Sequence, residues 1–197
     1  ASSLLTLFFS VASELMLGFI FAYAAVLLFA AVQMAGQLVD IQVGFGIANV
    51  FDPVSGAQVT LIGQVLYMCA IFVFILLNGH HLLLNGLADS FAIAPPGRPF
   101  TGAGPVQLLV ERGGSLMFIL AAQVAAPAMT ALFLVNIAMG LVSRVLPQIN
   151  IFLVGLPLNV GIGLLVLAAG MSIFPSVMRS AITGLAGQIT ALNLAVR

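Results

Sequence analysis

Apolar residues run along this chain in long stretches that few polar positions interrupt. The first stretch covers residues 4–39 and holds one charged side chain, Glu14. A helix needs roughly 20 apolar residues to cross the hydrocarbon of a membrane. At about 1.5 Å per residue, this stretch would form a helix on the order of 50 Å long. We therefore expect the helix to tilt strongly, to bend, or to project beyond the lipid.

Three more membrane-length stretches follow, so the pattern predicts four crossings. The crossings cover residues 4–39, 59–78, 106–142 and 151–177. Pro127 lies inside the third crossing and should bend or break its helix. The fourth crossing is interrupted by Gly155, Pro157, Gly161, Gly163 and Gly170. Because no alternation typical of strands occurs, we expect an all-α fold, an integral membrane helical bundle of long, Gly- and Pro-interrupted hydrophobic helices.

Small residues four apart predict places where two helix backbones approach closely. These pairs are Ala31/Ala35, Ala121/Ala125 and Ala122/Ala126.

The tail, residues 180–197, has the pattern of an amphipathic helix. Its apolar positions recur at alternating steps of three and four: Ile182, Leu185, Ile189, Leu192 and Val196. Its polar positions lie largely off that stripe: Thr183, Gln188, Thr190 and Asn193. This pattern predicts a helix that lies on the bundle or on the membrane surface.

The segment between the first two crossings, residues 40–58, combines turn residues with bulky apolar ones. A turn signal begins at Asp52-Pro53, yet the segment also carries Phe45, Ile47, Val50 and Phe51. Irregular backbone at membrane depth is tolerated only inside protein or along a cavity. Two hypotheses follow. The segment fills a pore and excludes water from it, or it is a re-entrant packing element without a gating role.

Composition places the chain among membrane proteins. Hydrophobic residues make up 62% of it and charged residues 5%, whereas a soluble domain carries about a quarter charged residues. Lipid or partner subunits must therefore cover most of the surface. The net charge is zero, which argues against nucleic acid as a partner. The length favours one domain over residues 1–197.

The arginines predict an orientation. With four crossings, Arg98, Arg112, Arg179 and Arg197 lie on one side and only Arg144 on the other. The excess of positive charge predicts that the first side is cytoplasmic.

Glu14 is the sharpest candidate for chemistry. A carboxylate within a membrane helix costs about 2.5–3.5 kcal/mol on insertion scales and usually faces a partner or a water path. The functional hypothesis is a proton or ion site. The structural alternative is a hydrogen bond or ion pair between helices, or a helix end outside the lipid.

Catalytic and metal-binding patterns are weak. His80 and His81 are adjacent and point roughly 100° apart on a helix, so we do not expect them to share one metal ion. Ser55 has Pro53 two places earlier, so the nucleophile-elbow pattern is missing. We therefore predict no enzyme activity, no metal site and no cofactor.

Several separated motifs, in order along the chain, resemble the FliR family of flagellar export-gate proteins, called SctT in injectisomes. The motifs are Glu14-Leu15-Met16-Leu17-Gly18, Phe29-Ala30-Ala31-Val32-Gln33-Met34-Ala35-Gly36, the segment from Gln42 to Pro53, Asn78-Gly79-His80, and the stretch from Ala126-Pro127 through Arg144-Val145-Leu146-Pro147-Gln148-Ile149-Asn150 to Leu158. The match seen in these motifs extends over nearly the whole chain and is closer to the flagellar type than to the injectisome type.

The resemblance implies a specific function and location. The chain would assemble with FliP-like and FliQ-like subunits, and with FlhB-like and FlhA-like export proteins, into a helical pore for unfolded substrate proteins. The pore would lie in the bacterial inner membrane, at the flagellar basal body. Family members also carry a further N-terminal hydrophobic part.

The resemblance also implies roles for residues. The family's loop matching residues 42–58 acts as a plug in the closed pore. Carried over to this chain, the plug or gate residues are Gly44, Phe45, Gly46, Ile47, Asn49, Val50, Phe51, Asp52 and Pro53. The polar and turn positions expected to serve assembly are Glu14, Arg144, Pro147 and Gln148.

The competing hypothesis is a small-solute or ion transporter. It would use Glu14 as the coupling site and the interrupted fourth crossing as the substrate site. An intramembrane hydrolase is a third class, for which the sequence shows no arrangement of catalytic residues.

Overall fold

The computed structural model describes residues 2–45, 60–93, 104–146, 148 and 150–196, and all regular structure in these ranges is helical. The helices are α1 (Ser2–Val43), α2 (Leu61–Leu76), α3 (Gly79–Ile93), α4 (Gly104–Leu108), α5 (Gly114–Val145), α6 (Ile151–Gly170) and α7 (Phe174–Val196), with a π-helical turn at Leu109–Gly113 between α4 and α5. The all-α prediction is confirmed.

Three helical runs in the described ranges are long and apolar enough to cross a membrane, and a bent pair makes up to four. The runs are Leu4–Val43, Val106–Val145 and Leu153–Gly170; the pair is α2 with α3. The predicted overlong helices are confirmed, since two of these runs have 40 residues each.

Several predicted boundaries are wrong. Helix α1 continues to Val43 instead of ending at residue 39, so Asp40 lies in a helix and not in a loop. Helix α6 ends at Gly170, and α7 begins at Phe174, whereas one crossing was predicted to continue to residue 177. Apolarity alone continues across residues 171–173, which is why the pattern did not predict the break there.

Proline does not break α5 or α6. Helix α5 runs through Pro127 and α6 runs through Pro157, so of the bend or break expected at Pro127 the break does not occur, and the bend stays a prediction. Both rings are exposed, and one missing N–H group leaves the rest of the intrahelical hydrogen bonds in place.

The bend between α2 and α3 is centred on Asn78. The helix axes differ by 64°. Asn78 has a φ of 56°, a conformation that Asn adopts more readily than most residues. Its N–H donates to the Ile75 carbonyl at 3.0 Å, and its own carbonyl accepts the His81 N–H at 3.0 Å. Asn78 therefore lies where one helix ends and the next begins, close to the predicted end of the second crossing at residue 78.

Residue contacts divide the chain into two compact units. The first unit comprises residues 1–30, 71–119 and 178–197. In it, the apolar stripe of α7 is buried at Ile182, Leu185, Ile189 and Leu192, as predicted. Phe29 and Phe74 form an edge-to-face ring pair with centroids 5.2 Å apart.

Two polar residues of α7 lie inside this unit, although the periodicity predicted that they lie off the buried stripe. Gln188 and Asn193 are 7% and 5% exposed. Asn193 Nδ2 donates to the Gly86 carbonyl of α3 at 3.3 Å. Because Gly86 has no side chain, α3 comes close enough to cover this edge of α7.

The second unit comprises residues 31–70 and 120–177. Its core includes Ala31, Ala35, Ala121 and Ala125, which are buried, so two of the three predicted small-residue pairs lie in packed positions. Ala122 and Ala126 are exposed, and the third pair makes no close approach in the described residues. The single domain expected over residues 1–197 stays a prediction.

Candidate functional site

The C-terminus of α1 closes in a Schellman motif. The Phe45 N–H donates to the Asp40 carbonyl at 3.0 Å, and the Gly44 N–H donates to the Ile41 carbonyl at 3.2 Å. Gly44 has a φ of 102°, which residues with a side chain rarely adopt. Gly44 therefore ends α1, and its place among the plug or gate residues stays a prediction.

The side chain of Asp40 joins the end of α1 to the start of α2. Asp40 is 2% exposed. Its Oδ1 accepts the Ile62 N–H at 3.1 Å, and its Oδ2 accepts the Gly63 N–H at 3.2 Å. Both donors lie in the first turn of α2, where N–H groups have no partner within the helix. The carboxylate also interacts favourably with the positive end of the α2 dipole.

Two glycines bring the helices close enough for these hydrogen bonds. A Cβ atom built on Gly36 would lie 2.6 Å from the Gly63 backbone nitrogen and still nearer to its Cα. A side chain at position 36 would therefore collide with the α2 backbone. The buried position of Asp40 and the contact of Gly36 with Gly63 belong to one crossing of α1 and α2.

Phe45 lies in an apolar groove beside this crossing. The groove has a volume of about 350 Å³. It is lined by apolar side chains of α2, α6 and the adjoining turns: Phe45, Leu61, Ile62, Val65, Leu66, Leu164, Leu167, Ala168 and Met171. Phe45 is half-buried, so the first bulky residue of the predicted plug segment packs against protein.

The remaining predicted plug residues lie in the range 46–59, outside the described residues. They are Gly46, Ile47, Asn49, Val50, Phe51, Asp52 and Pro53. The choice between a plug and a passive packing element stays open on the structure.

The predicted assembly residues are placed separately. Glu14 is half-buried on α1 and has no hydrogen bond or ion pair with another described residue. Arg144, near the end of α5, and Gln148 are exposed. Pro147 lies outside the described residues.

His80 and His81 stand side by side at the start of α3. Their ring centroids are 4.2 Å apart, closer than their predicted divergence implied. Among the described residues, no group of three or more His, Cys, Asp and Glu side chains could hold a metal ion.

A family model described as "Bacterial export proteins, family 1" matches residues 1–185. The chain belongs to this family. It is 40% identical to the flagellar biosynthetic protein FliR of Bacillus subtilis (strain 168), over 85% of this chain and 65% of that protein. It is 32% identical to the FliR protein of Escherichia coli (strain K12), over 80% of this chain and 60% of that protein.

The chain is also similar to a secretion protein. The chain is 28% identical to the secretion system apparatus protein SsaT of Salmonella typhimurium (strain LT2), over 84% of this chain and 62% of that protein. In each case the chain spans less than two thirds of the relative. The resemblance to the FliR/SctT family is confirmed.

Asp40 is the residue that sequence reasoning missed. The sequence pattern predicted that Asp40 lies in the loop, because an acidic residue followed by several glycines is typical of a loop. Gly44 gave a usable signal, since a glycine that ends a helix lies just past the last helical residue. That rule would have extended α1 to Val43 and placed Asp40 in its last turn.

Proposed function

We propose that this chain forms part of an export-gate subunit of the flagellar type III protein export apparatus in the bacterial inner membrane. With FliP-like and FliQ-like subunits it builds a helical pore, which FlhB-like and FlhA-like proteins join, at the flagellar basal body. Unfolded substrate proteins pass through this pore. The role is structural and gating, with no catalytic step and no cofactor.

The observation that carries the proposal is the 40% identity to Bacillus subtilis FliR over 85% of this chain. The identity to SsaT is lower, at 28%, which favours the flagellar system over an injectisome.

The α5 region supports a place in a larger assembly. The run Val106–Val145 has 40 residues, or about 60 Å of helix. Large apolar side chains are exposed near both of its ends, including Val110 at 65% and Leu141 at 60%. Even at a tilt of about 40°, the run would extend on the order of 45 Å along the membrane normal, beyond a hydrocarbon core of about 30 Å. Part of this apolar surface therefore needs protein as its cover.

Purification of the full-length protein tests the assembly. In a mild detergent, we expect it to co-purify with FliP-like and FliQ-like subunits in one large particle. A homogeneous protein without these subunits would contradict the proposal and favour a transporter.

We further propose that the segment 42–58 plugs the closed pore. Two features support this. Phe45 of this segment lies in an apolar groove, and the segment also carries Ile47, Val50 and Phe51. Bulky apolar side chains in a narrow passage exclude water and ions.

A pair of deletions tests the plug. Removal of residues 46–50 leaves Gly44 and Phe45 in place and should make cells permeable to small solutes. Removal of five residues from another connecting segment, 96–100, serves as the control and should leave permeability unchanged. The plug is excluded if the first deletion assembles normally and the cells stay impermeable.

A further inference from the structure

The start of α2 is capped by a residue from another helix, although its own sequence offers a cap. Thr60 precedes the helix, and its carbonyl accepts the first helical hydrogen bond, from the Gln64 N–H at 3.0 Å. Thr at this position ordinarily caps the helix with its hydroxyl, which accepts an N–H from the second or third helical residue. Here Asp40, 22 residues before Ile62, accepts the N–H groups of both Ile62 and Gly63.

The same residue also closes α1. The Asp40 backbone carbonyl accepts the Phe45 N–H at 3.0 Å and the Gly44 N–H at 3.1 Å. One residue thus holds the last described residues before the range 46–59 through its backbone, and the first turn of the helix after it through its side chain. Because the carboxylate is buried, water does not compete strongly for these hydrogen bonds.

We propose that Asp40 is a positioning residue that locks the start of α2 to the end of α1. It fixes the point at which the chain leaves α1 and the point at which it enters α2, so the separation of Phe45 and Thr60 is held constant. The effect of this lock on permeability rests on the proposed function.

A graded series of substitutions in the full-length protein, within its assembled complex, tests the lock. Asp40→Asn keeps the shape but replaces one acceptor oxygen with an NH₂ group. Asp40→Ser also keeps one acceptor, and Asp40→Ala keeps none. The matched control is Asp89→Asn, since Asp89 is an exposed aspartate on α3.

The readout is dipolar electron paramagnetic resonance between spin labels at Ile41 and Val65, two exposed positions. Cys69 is replaced by Ala beforehand, because it is a free cysteine that would also react with the label. The wild type and the Asp89 variant should give one narrow distance population. The Asn and Ser variants should give a broader one, and the Ala variant should lose the single population.

The outcomes distinguish an effect of acceptor number from an effect of charge, and they test the proposed plug separately. An Ala variant with the wild-type distance distribution would overturn the proposal. An Asn variant as broad as the Ala variant would support the lock and show that it depends on the charge of the carboxylate and not on acceptor number. If the Ala variant does not assemble, the Asn and Ser variants still decide the question. Broadened distances with unchanged solute permeability would support the lock and contradict the plug of the proposed function.

Discussion

Replacement of Gly36 by Ala should be among the most destabilising single-methyl changes in the second unit. The added Cβ would lie 2.6 Å from the Gly63 nitrogen and 3.1 Å from the Ile62 carbonyl carbon. Ordinary contacts of a Cβ atom begin near 3.4 Å. The neighbouring atoms are backbone, so no side chain can rotate away, and α1 and α2 must separate by about 1 Å at this crossing.

The separation has a second cost, because the Asp40 hydrogen bonds lie at the same crossing. At present they are 3.1 and 3.2 Å long, and an increase of about 1 Å would break at least one of them. Overpacking costs about 1–3 kcal/mol, and each hydrogen bond to a charged group contributes about 1.5–3 kcal/mol. The gain from replacing Gly by Ala in a helix is only about 0.5–1 kcal/mol. With one bond lost, the net loss is about 3 kcal/mol, more than 100-fold in the folding equilibrium.

Two other glycines supply matched controls. A Cβ on Gly63 meets Thr60 Cβ at 3.3 Å and the Gln33 carbonyl at 3.4 Å, and a Cβ on Gly18 meets nothing within 4 Å. Gly63→Ala should therefore stay within about 1 kcal/mol of the wild type, and Gly18→Ala should stabilise α1 by about 0.5–1 kcal/mol.

The assay is reversible unfolding of the full-length protein in mixed micelles titrated with sodium dodecyl sulfate, followed by the circular dichroism of its helices. A Gly36→Ala variant as stable as the Gly63→Ala variant would refute the reasoning, since both replacements add the same methyl group to the same crossing.

Three further predictions concern Gly86, the hydrogen bond between Asn159 and Asn136, and Glu14. Gly86→Ala would bring its Cβ into the Ile189 side chain, so we expect faster proteolysis of α7, with rescue when Ile189→Ala is added; a double variant cleaved as fast as the single one would contradict the contact. Asn159 Nδ2 donates to Asn136 Oδ1 at 3.1 Å, so a double-mutant cycle with Leu at each position, scored by the same unfolding titration, should give a coupling free energy of about 0.6–2 kcal/mol, and zero coupling would refute the bond. Glu14 has no partner among the described residues, so Glu14→Gln should leave the purified particle intact on size-exclusion chromatography; normal assembly with lost export would reveal a charge-dependent step.

The helical fold could be predicted from the sequence because its cause is local. A run of apolar residues longer than a membrane span has few alternatives to a helix, since every backbone polar group in lipid must be satisfied internally. The bend at Asn78-Gly79 was not predicted, although an Asn-Gly pair is a turn signal and one residue in the left-handed conformation is enough to end a helix.

The burial of polar residues on α7 could not be predicted from periodicity. A prediction from periodicity assumes that polar side chains face away from protein. Asn193 is buried because its amide donates to the Gly86 carbonyl of α3, a backbone atom 107 residues away in the sequence. Nothing local to α7 encodes that acceptor.

The stability of the buried Asp40 carboxylate likewise depends on a contact that is distant in the sequence. It lies in the last turn of α1, and a carboxylate there faces the negative end of that helix's dipole, which is unfavourable by about 0.3–1 kcal/mol. No basic residue lies in this turn to offset it. The carboxylate is stable in its buried position because the positive end of α2 and two of its N–H groups meet it. Since the Asp40 carboxylate destabilises the end of α1 without α2, and the first turn of α2 loses the Asp40 cap without α1, each helix end depends on the other. This mutual dependence fixes the two ends of the segment 46–59 more firmly than either helix could alone.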